Sequence, residues 1–293
     1  MKIGLCIPTA DDGTGTPSWS HIAAQAGRAE AGGIDSLWIF DHLIHRPVGG
    51  PEEGYHEAAT MLAALAAVTK RVELGTLVFA TSFRAPAVLA KIAATVDSIA
   101  GGRVILGIGC GWHEPEYQAF GFPFDHRVGR FDEALQIISP LVHGERVTFD
   151  GQWNNVMDAV LLPPPARPIP ILIASKGERM LQLTARYADQ WNAAWFGRPN
   201  DRYHVRVADL RKALDAAGRD PATLEVTVGL MLDPDSAADR PGKPETLPPD
   251  AAVMAAAFAE WAALGVGHVQ VRCDVLTDPV IDAVLEARRR FVG

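Results

Sequence analysis

Residues 86–108 read PAVLAKIAATVDSIAGGRVILGI. An Ala-rich amphipathic stretch, Pro86–Ala100, stops at Gly101-Gly102 and gives way to the short apolar run Val104–Ile108. Helical stretch, glycine stop and short strand form one unit, and the chain on either side repeats it. Upstream, Ile3–Ile7 is a first strand. After the loop Pro8–Thr16, Pro17 and Ser18 open a helical stretch that reaches Ala31 and stops at Gly32-Gly33. Ser36–Phe40 is the second strand, Tyr55–Thr69 the next helical stretch and Val72–Phe79 the third strand. Downstream, Phe131, Leu135, Ile138 and Leu141-Val142 recur at helical spacing and predict a long helix over Arg127–His143. Strands follow at Pro170–Ala174, Gln190–Ala194, Leu224–Gly229 and Val266–Val271. Each is trailed by a helical stretch: Glu178–Tyr187, Asp201–Ala217, Asp250–Leu264 and Pro279–Phe291.

Strands that alternate with helices imply a parallel sheet. Eight such units without a Ser/Gly linker favour one closed α/β (β/α)8 TIM barrel over two open sheets. The 293 residues suit that barrel, which typically takes about 250 residues before insertions, and a single domain over 1–293 is expected. Two stretches break the rhythm. Gly144–Pro168, with its Val, Thr, Phe and Trp before Pro163-Pro164-Pro165, predicts a small hairpin inserted before strand five. Asp233–Pro249 follows strand seven and is rich in Pro, Asp and Gly. A loop of that length on the C-terminal face is expected to act as a lid.

Composition excludes several function classes. With 48% hydrophobic and 21% charged residues the chain is globular. A net charge of −8 without a basic run argues against nucleic acid as a partner. No apolar stretch approaches the roughly 18 residues of a membrane span, and Met1–Pro8 is too soon broken to serve as a signal peptide. Cys6, Cys110 and Cys273 form no CxxC and cannot all pair, so a reducing, cytoplasmic compartment is expected.

In such barrels the chemistry sits where strands run into their following loops. Asp41-His42, at the end of strand two, is the only acid–imidazole pair at a strand end. Imidazole is the side chain best suited to proton exchange near pH 7. The alternative is a strand-terminal His bonded to backbone. Asp41 points to the opposite side of an extended strand from His42, which makes it a structural candidate. His42, His45 and Asp41 do not complete a metal trio at any other strand end, and no His-x-His is present, so no metal is expected. Gly107-x-Gly109-x-Gly111 resembles half of a dinucleotide fingerprint, but no prompt helix is expected after it to receive a pyrophosphate. Its glycines instead allow close backbone approach to a flat ligand. Ser175-Lys176-Gly177 precedes a helix starting near Glu178. It reads either as an anion-holding loop, with free N–H groups, a Ser hydroxyl donor and a Lys charge, or as a plain turn with a Ser cap. Trp112 and Trp195 stand at two strand mouths, as ligand contacts or as packing. No Gly-x-Ser-x-Gly occurs, and Cys110 and Ser82 have no base nearby in sequence. An apolar mouth with glycines, tryptophans, one His and an anion loop suits a bound aromatic cofactor.

These residues belong to a wider set of motifs. It comprises Ser36–His42, Leu62–Ala67 with Thr69 and Arg71, Leu74-Gly75-Thr76, Arg84-x-Pro86, Gly101–Trp112, Arg130-Phe131-x-Glu133 and Ala188-Asp189-x-Trp191-Asn192. In this set the chain resembles the bacterial luciferase-like monooxygenase superfamily, and especially its deazaflavin-dependent branch, over most of residues 1–197. The resemblance implies a barrel with an insertion before strand five, and coenzyme F420 or, alternatively, FMN as cofactor. It places His42 near the reactive centre of the ring, as the catalytic residue. It implies a ring support at the bulged end of strand three, Thr76-Leu77-Val78-Phe79-Ala80, often with a non-proline cis peptide, here at Leu77-Val78. The remaining cofactor contacts fall on Asp41, Gly109, Cys110, Gly111, Trp112, Ala174, Ser175, Lys176, Gly177 and Trp195. Sugar-phosphate dehydrogenases of this branch carry a catalytic Glu and an Asn where this chain has Trp112 and Pro115. That departure points away from a sugar phosphate and leaves a reductase of an activated alkene or ketone, or a flavin monooxygenase. The expectation is a hydride-transferring F420 oxidoreductase acting on a small organic substrate. Three rivals stand beside it: an FMN-dependent monooxygenase, a non-catalytic cofactor-binding homologue, and a metal-dependent barrel hydrolase. A homodimer is expected, because superfamily members usually pair through helices on one side and Ala-rich stretches such as Ala58–Ala67 allow close packing; the alternative is an ordinary Ala-rich barrel helix buried against its own strands.

Overall fold

Eight apolar runs become eight strands: β1 (Lys2–Cys6), β2 (Ser36–Ile39), β3 (Glu73–Thr76), β4 (Val104–Gly109), β5 (Ile171–Ala174), β6 (Gln190–Phe196), β7 (Glu225–Leu232) and β8 (His268–Cys273). Every neighbouring pair is parallel; β8 lies beside β1 and β5 beside β4, so the sheet closes on itself as the expected barrel. The computed structural model describes residues 1–11, 15–234 and 245–293. The helices are α1 (Trp19–Ala31), α2 (Ala58–Val68), α3 (Pro86–Ala100), α4 (Glu114–Phe120), α5 (Arg127–Val142), α6 (Glu178–Tyr187), α7 (Asp201–Ala216), α8 (Ala251–Ala263) and α9 (Asp278–Val292). All except α4 follow one barrel strand each and bury an apolar face against the sheet.

Local chemistry sets the ends of these helices. Ser18 caps α1 and Asp250 caps α8 through side-chain oxygens. Pro86 starts α3, and Gly101, at φ +67°, ends it in the left-handed conformation that glycine adopts without strain. The stretch expected as helical from Tyr55 begins at Ala58 instead, because the Glu57 carboxylate accepts the Ala59 and Thr60 N–H groups as an N-cap. Tyr55 is left outside, bridged to Ala10.

Trp38 is fully buried inside the barrel, clustered with Cys6, Leu77, Ile105 and Leu172. Gly75 lines the same space: a Cβ there would lie 2.3 Å from the indole. Polar side chains lie around it. Trp38 Nε1 donates to Ser36 Oγ at 2.7 Å, and Ser36 Oγ lies 2.7 Å from His268 Nε2. Burial pushes the His268 imidazole down to about 3.

The insertion before β5 is the expected hairpin, Val147–Asp150 against Asn155–Ala159. Glu133 of α5 holds its turn, accepting the N–H groups of Gln152, Trp153 and Asn154 at 2.7, 2.9 and 2.9 Å. A second small hairpin, Ile44–His45 against Glu53–Gly54, has no counterpart in the sequence reading. Of the loop expected as a lid, residues 235–244 lie outside the described residues, while Leu247 is buried and bridges to Leu232.

Candidate active site

A cavity of about 610 Å³ opens among the C-terminal ends of β2 to β6, within the size range of small-molecule sites. Strand geometry decides which expected residues reach it. His42, just beyond β2, lines it. Its Nδ1 lies 3.1 and 3.3 Å from the two Glu116 carboxylate oxygens, and Glu116 also accepts the Leu43 N–H at 3.0 Å. Tyr55 and Trp112 pack against the imidazole with ring centroids 5.1 and 5.7 Å away. Burial pushes the Tyr55 phenol up to about 12.

Asp41 is buried and makes a two-oxygen pair with Arg84 at 2.7 and 2.9 Å while accepting the Ala80 N–H at 2.9 Å. Burial pushes its carboxyl up, and Arg84 opposes that without cancelling it. Asp41 touches the cavity, but its oxygens fasten the end of β2 to the segment after β3. That segment passes through Leu77-Val78, joined by the implied cis peptide, and a second non-proline cis peptide joins Ala194 to Trp195. Leu77, Val78 and Ala80 line the cavity. Thr76 and Phe79 do not: the Thr76 hydroxyl donates to the Gly107 carbonyl at 2.8 Å, and the Phe79 ring lies in the apolar core. Simple alternation would put Leu77 and Val78 on opposite sides, so the irregular course of the chain beyond β3, rather than the strand period, separates the two sets.

The glycines of β4 let this strand pack closely beside β3 and the segment that follows it. A Cβ on Gly107 would lie 1.8 Å from the Thr76 carbonyl oxygen, and one on Gly109 2.9 Å from Val78 Cγ2. Gly109, Cys110, Gly111 and Trp112 all line the cavity. Burial raises the Cys110 thiol and keeps it a weak nucleophile. The expectation that no helix follows this glycine run is overturned, since α4 begins at Glu114. Its first turn carries Glu114 and Glu116, which repel an anion from that helix start.

At the β5 end, Ala174, Ser175 and Lys176 line the cavity, whereas Gly177, at φ +83°, caps α6 without lining it. The Ser175 hydroxyl lies 2.8 Å from Thr184 Oγ1, whose own proton goes to the Met180 carbonyl at 2.9 Å. Ser175 therefore donates inward. It is neither a donor toward an anion nor the helix cap, and α6 has no side-chain cap. Lys176 is exposed at the rim. Trp195 lines the cavity from β6, edge-on to Phe40 at 5.9 Å.

Sequence reading missed several lining groups: Glu116, Arg127, Val128, Met180, Asn192 and Arg206. Asn192 stood in a quoted motif, but its register toward the cavity needed the closed barrel. It is buried, its Nδ2 donates to Thr227 Oγ1 and Gln270 Oε1 at 2.9 Å each, and its Oδ1 has no partner. Glu116 stood four residues beyond the position where an acid was sought, and only the turn of α4 brings it back. Among the described residues no three His, Cys, Asp or Glu side chains gather as a metal site. No described helix is long and apolar enough to cross a membrane.

Comparison with known proteins fits this geometry. An F420-dependent glucose-6-phosphate dehydrogenase of Kineococcus radiotolerans is 36% identical over 216 residues, covering 72% of this chain and 63% of that protein. A phthiodiolone/phenolphthiodiolone dimycocerosates ketoreductase of Mycobacterium kansasii is 35% identical over 228 residues, covering 71% and 61%. The matches thus span about three fifths of these relatives' own length. The solved structure of an F420-dependent secondary alcohol dehydrogenase, in complex with an F420-acetone adduct, superimposes with a TM-score of 0.83 at 21% identity. The superposition covers 99% of this chain and 98% of that one, and so shares the whole fold. The family model described as luciferase-like monooxygenase matches residues 1–240, and the chain belongs to that family.

Proposed function

We propose that this chain is a coenzyme F420-dependent oxidoreductase that moves a hydride between the deazaflavin and a small alcohol or carbonyl substrate. The observation that carries the reading is His42, an imidazole held at one nitrogen and open to the cavity at the other, beside a slot walled by apolar side chains and glycine backbone. The relatives named for F420 support the cofactor class. The slot itself fits a flat ring. Leu77, Val78 and Ala80, with the Gly109 backbone beside them, form an apolar wall, and the buried, unpartnered Asn192 Oδ1 offers an acceptor to a ligand donor. Those residues, with Ala174 to Lys176 at one end, would hold the cofactor. When bound, F420 supplies a carbon that accepts or gives a hydride.

The chain's own residues have modest tasks. The walls orient the reactants and exclude water. His42 takes a proton from the substrate hydroxyl, or returns one to the carbonyl oxygen. Trp112, 63% exposed beside His42, presents an aromatic face where a sugar-phosphate enzyme of the family would place a carboxylate. That face favours a substrate with an apolar body over a polyhydroxylated one. Titration with oxidised and reduced F420 and with FMN, followed by absorbance and by turnover of an alcohol and ketone panel, tests the proposal. Saturable F420 binding with substrate-dependent change at the deazaflavin band is expected. Saturable FMN binding with oxygen consumption, and none of F420, would replace it with the monooxygenase reading. Binding of F420 without turnover across the panel would leave a non-catalytic homologue.

A further inference from the structure

We infer that Glu116 is a positioning residue for the proton step: it holds His42 through Nδ1 and so makes Nε2 the nitrogen that exchanges a proton with the substrate. The inference rests on the hydride-transfer reading and names a residue the resemblance does not assign. Where the family's sugar-phosphate enzymes carry their acid, this chain has Trp112. Its carboxylate enters the cavity from one helical turn further on, and it meets the imidazole.

Three observations carry the assignment. First, the Glu116 side chain is 2% exposed, and both oxygens lie within 3.3 Å of His42 Nδ1. An ionised carboxylate only accepts hydrogen bonds, so the proton between them sits on Nδ1 and neutral His42 has a bare Nε2. Second, Glu116 is itself fixed, because it accepts the Leu43 N–H, and the ring it holds is walled by Tyr55 and Trp112. Third, neighbouring imidazoles are differently engaged. His45 Nδ1 meets the half-exposed Glu53 at 3.0 Å, and His113 Nε2 accepts the Arg46 N–H at 2.9 Å. Neither lines the cavity.

In alcohol oxidation the substrate O–H bond breaks and its proton goes to Nε2, while the carbon's hydride leaves to the cofactor. The imidazolium then stands beside a carboxylate that keeps its charge and takes no proton. Carbonyl reduction runs the same transfers in reverse. A carboxylate in this position contributes by fixing the tautomer and stabilising the imidazolium.

The test compares Glu116→Gln, Glu116→Asp and the unaltered protein. Gln preserves size and the acceptor for Leu43, so a purely structural role predicts near-normal kcat in E116Q. The positioning role predicts a kcat loss of about 10²–10⁴-fold, with KM for F420 within about two-fold of the unaltered protein and partial recovery in E116D. A second readout needs no cofactor: ¹⁵N spectra of the histidine ring in the cofactor-free protein should show His42 protonated at Nδ1, and that signal should change in E116Q. Unchanged kcat in E116Q, or a His42 protonated at Nε2 alone, overturns the assignment. Absence of F420 turnover by the unaltered protein instead overturns the hydride-transfer reading, and the ring spectra then still decide whether Glu116 sets the His42 tautomer.

Discussion

At the scale of single residues, the two functional claims separate by what they bind. His42→Ala removes the proton acceptor but leaves the slot walls intact, so turnover should fall about 10²–10⁴-fold while F420 affinity changes little. Stopped-flow turnover beside equilibrium titration reads both, and undiminished turnover would remove His42 from the chemistry. Lys176 is exposed at the rim of the cavity, where a charge acts through screened attraction. Lys176→Ala should therefore weaken F420 binding modestly and flatten its dependence on ionic strength. A salt dependence as steep as before would place the cofactor's anionic end elsewhere. His268 is a residue of stability, buried in the barrel interior and pushed down to about 3. Above roughly pH 6.5, the ordinary histidine value, it is neutral in the folded and unfolded chains. As pH falls below that, only the unfolded chain takes the proton, so stability is lost from there down toward the folded value. The urea midpoint should fall between pH 6.5 and 5, before most carboxylates titrate, and should fall less in His268→Gln. Parallel declines in the two proteins would exclude His268 as the cause.

At the scale of elements, many residues of the quoted motifs turn out to be joints. Arg103 donates to the carbonyls of Ala100, Val72 and Thr69, tying α3 to the turn before β3. Arg71 reaches the Glu30 and Ile34 carbonyls, and Asp189 accepts the Ile171 N–H at 2.8 Å. Glu133 is the joint of the inserted hairpin; hydrogen bonds from its turn hold the carboxyl below the usual range against burial. Hydrogen bonds to a charged group are worth about 1.5–3 kcal/mol each when one partner is deleted. Glu133→Ala should therefore speed exchange of the amides at 152–154 by ten-fold or more without unfolding the barrel, as hydrogen exchange by NMR would show. Protection equal to the unaltered protein would mean the turn is held otherwise. Such roles were not legible in sequence, where a joint and a ligand contact look alike. Glu133 and His42 stood in the same set of motifs, and only their partners distinguish them.

At the scale of the molecule, the outer face of α2 and α3 carries Val68 and Val88, 48% and 54% exposed. Ala58 and Ala66 of α2 are buried against the chain's own barrel, so a dimer through these helices is a proposal that rests on the two exposed valines. Light scattering at micromolar concentration should report about twice the 31.5 kDa chain, and Val88→Arg should shift the mass toward the monomer. A monomer at every dilution would reject the pairing and leave the cavity's chemistry standing. The barrel, its strand limits within a few residues and most of the cavity's lining followed from sequence by itself. Apolar runs, glycine stops and Ala-rich stretches are local features with a fixed period, and a parallel barrel puts its strand ends at one mouth. Only the tertiary structure decided which of those residues turn inward and what they meet. It moved Thr76 and Phe79 away from the cavity, turned the Ser175 hydroxyl onto Thr184, and set α4 where no helix was expected. It also carried Glu116 to His42 across 74 positions of chain. Contacts at that separation depend on closure of the sheet and on the twist of each loop, and no local pattern of residues records them.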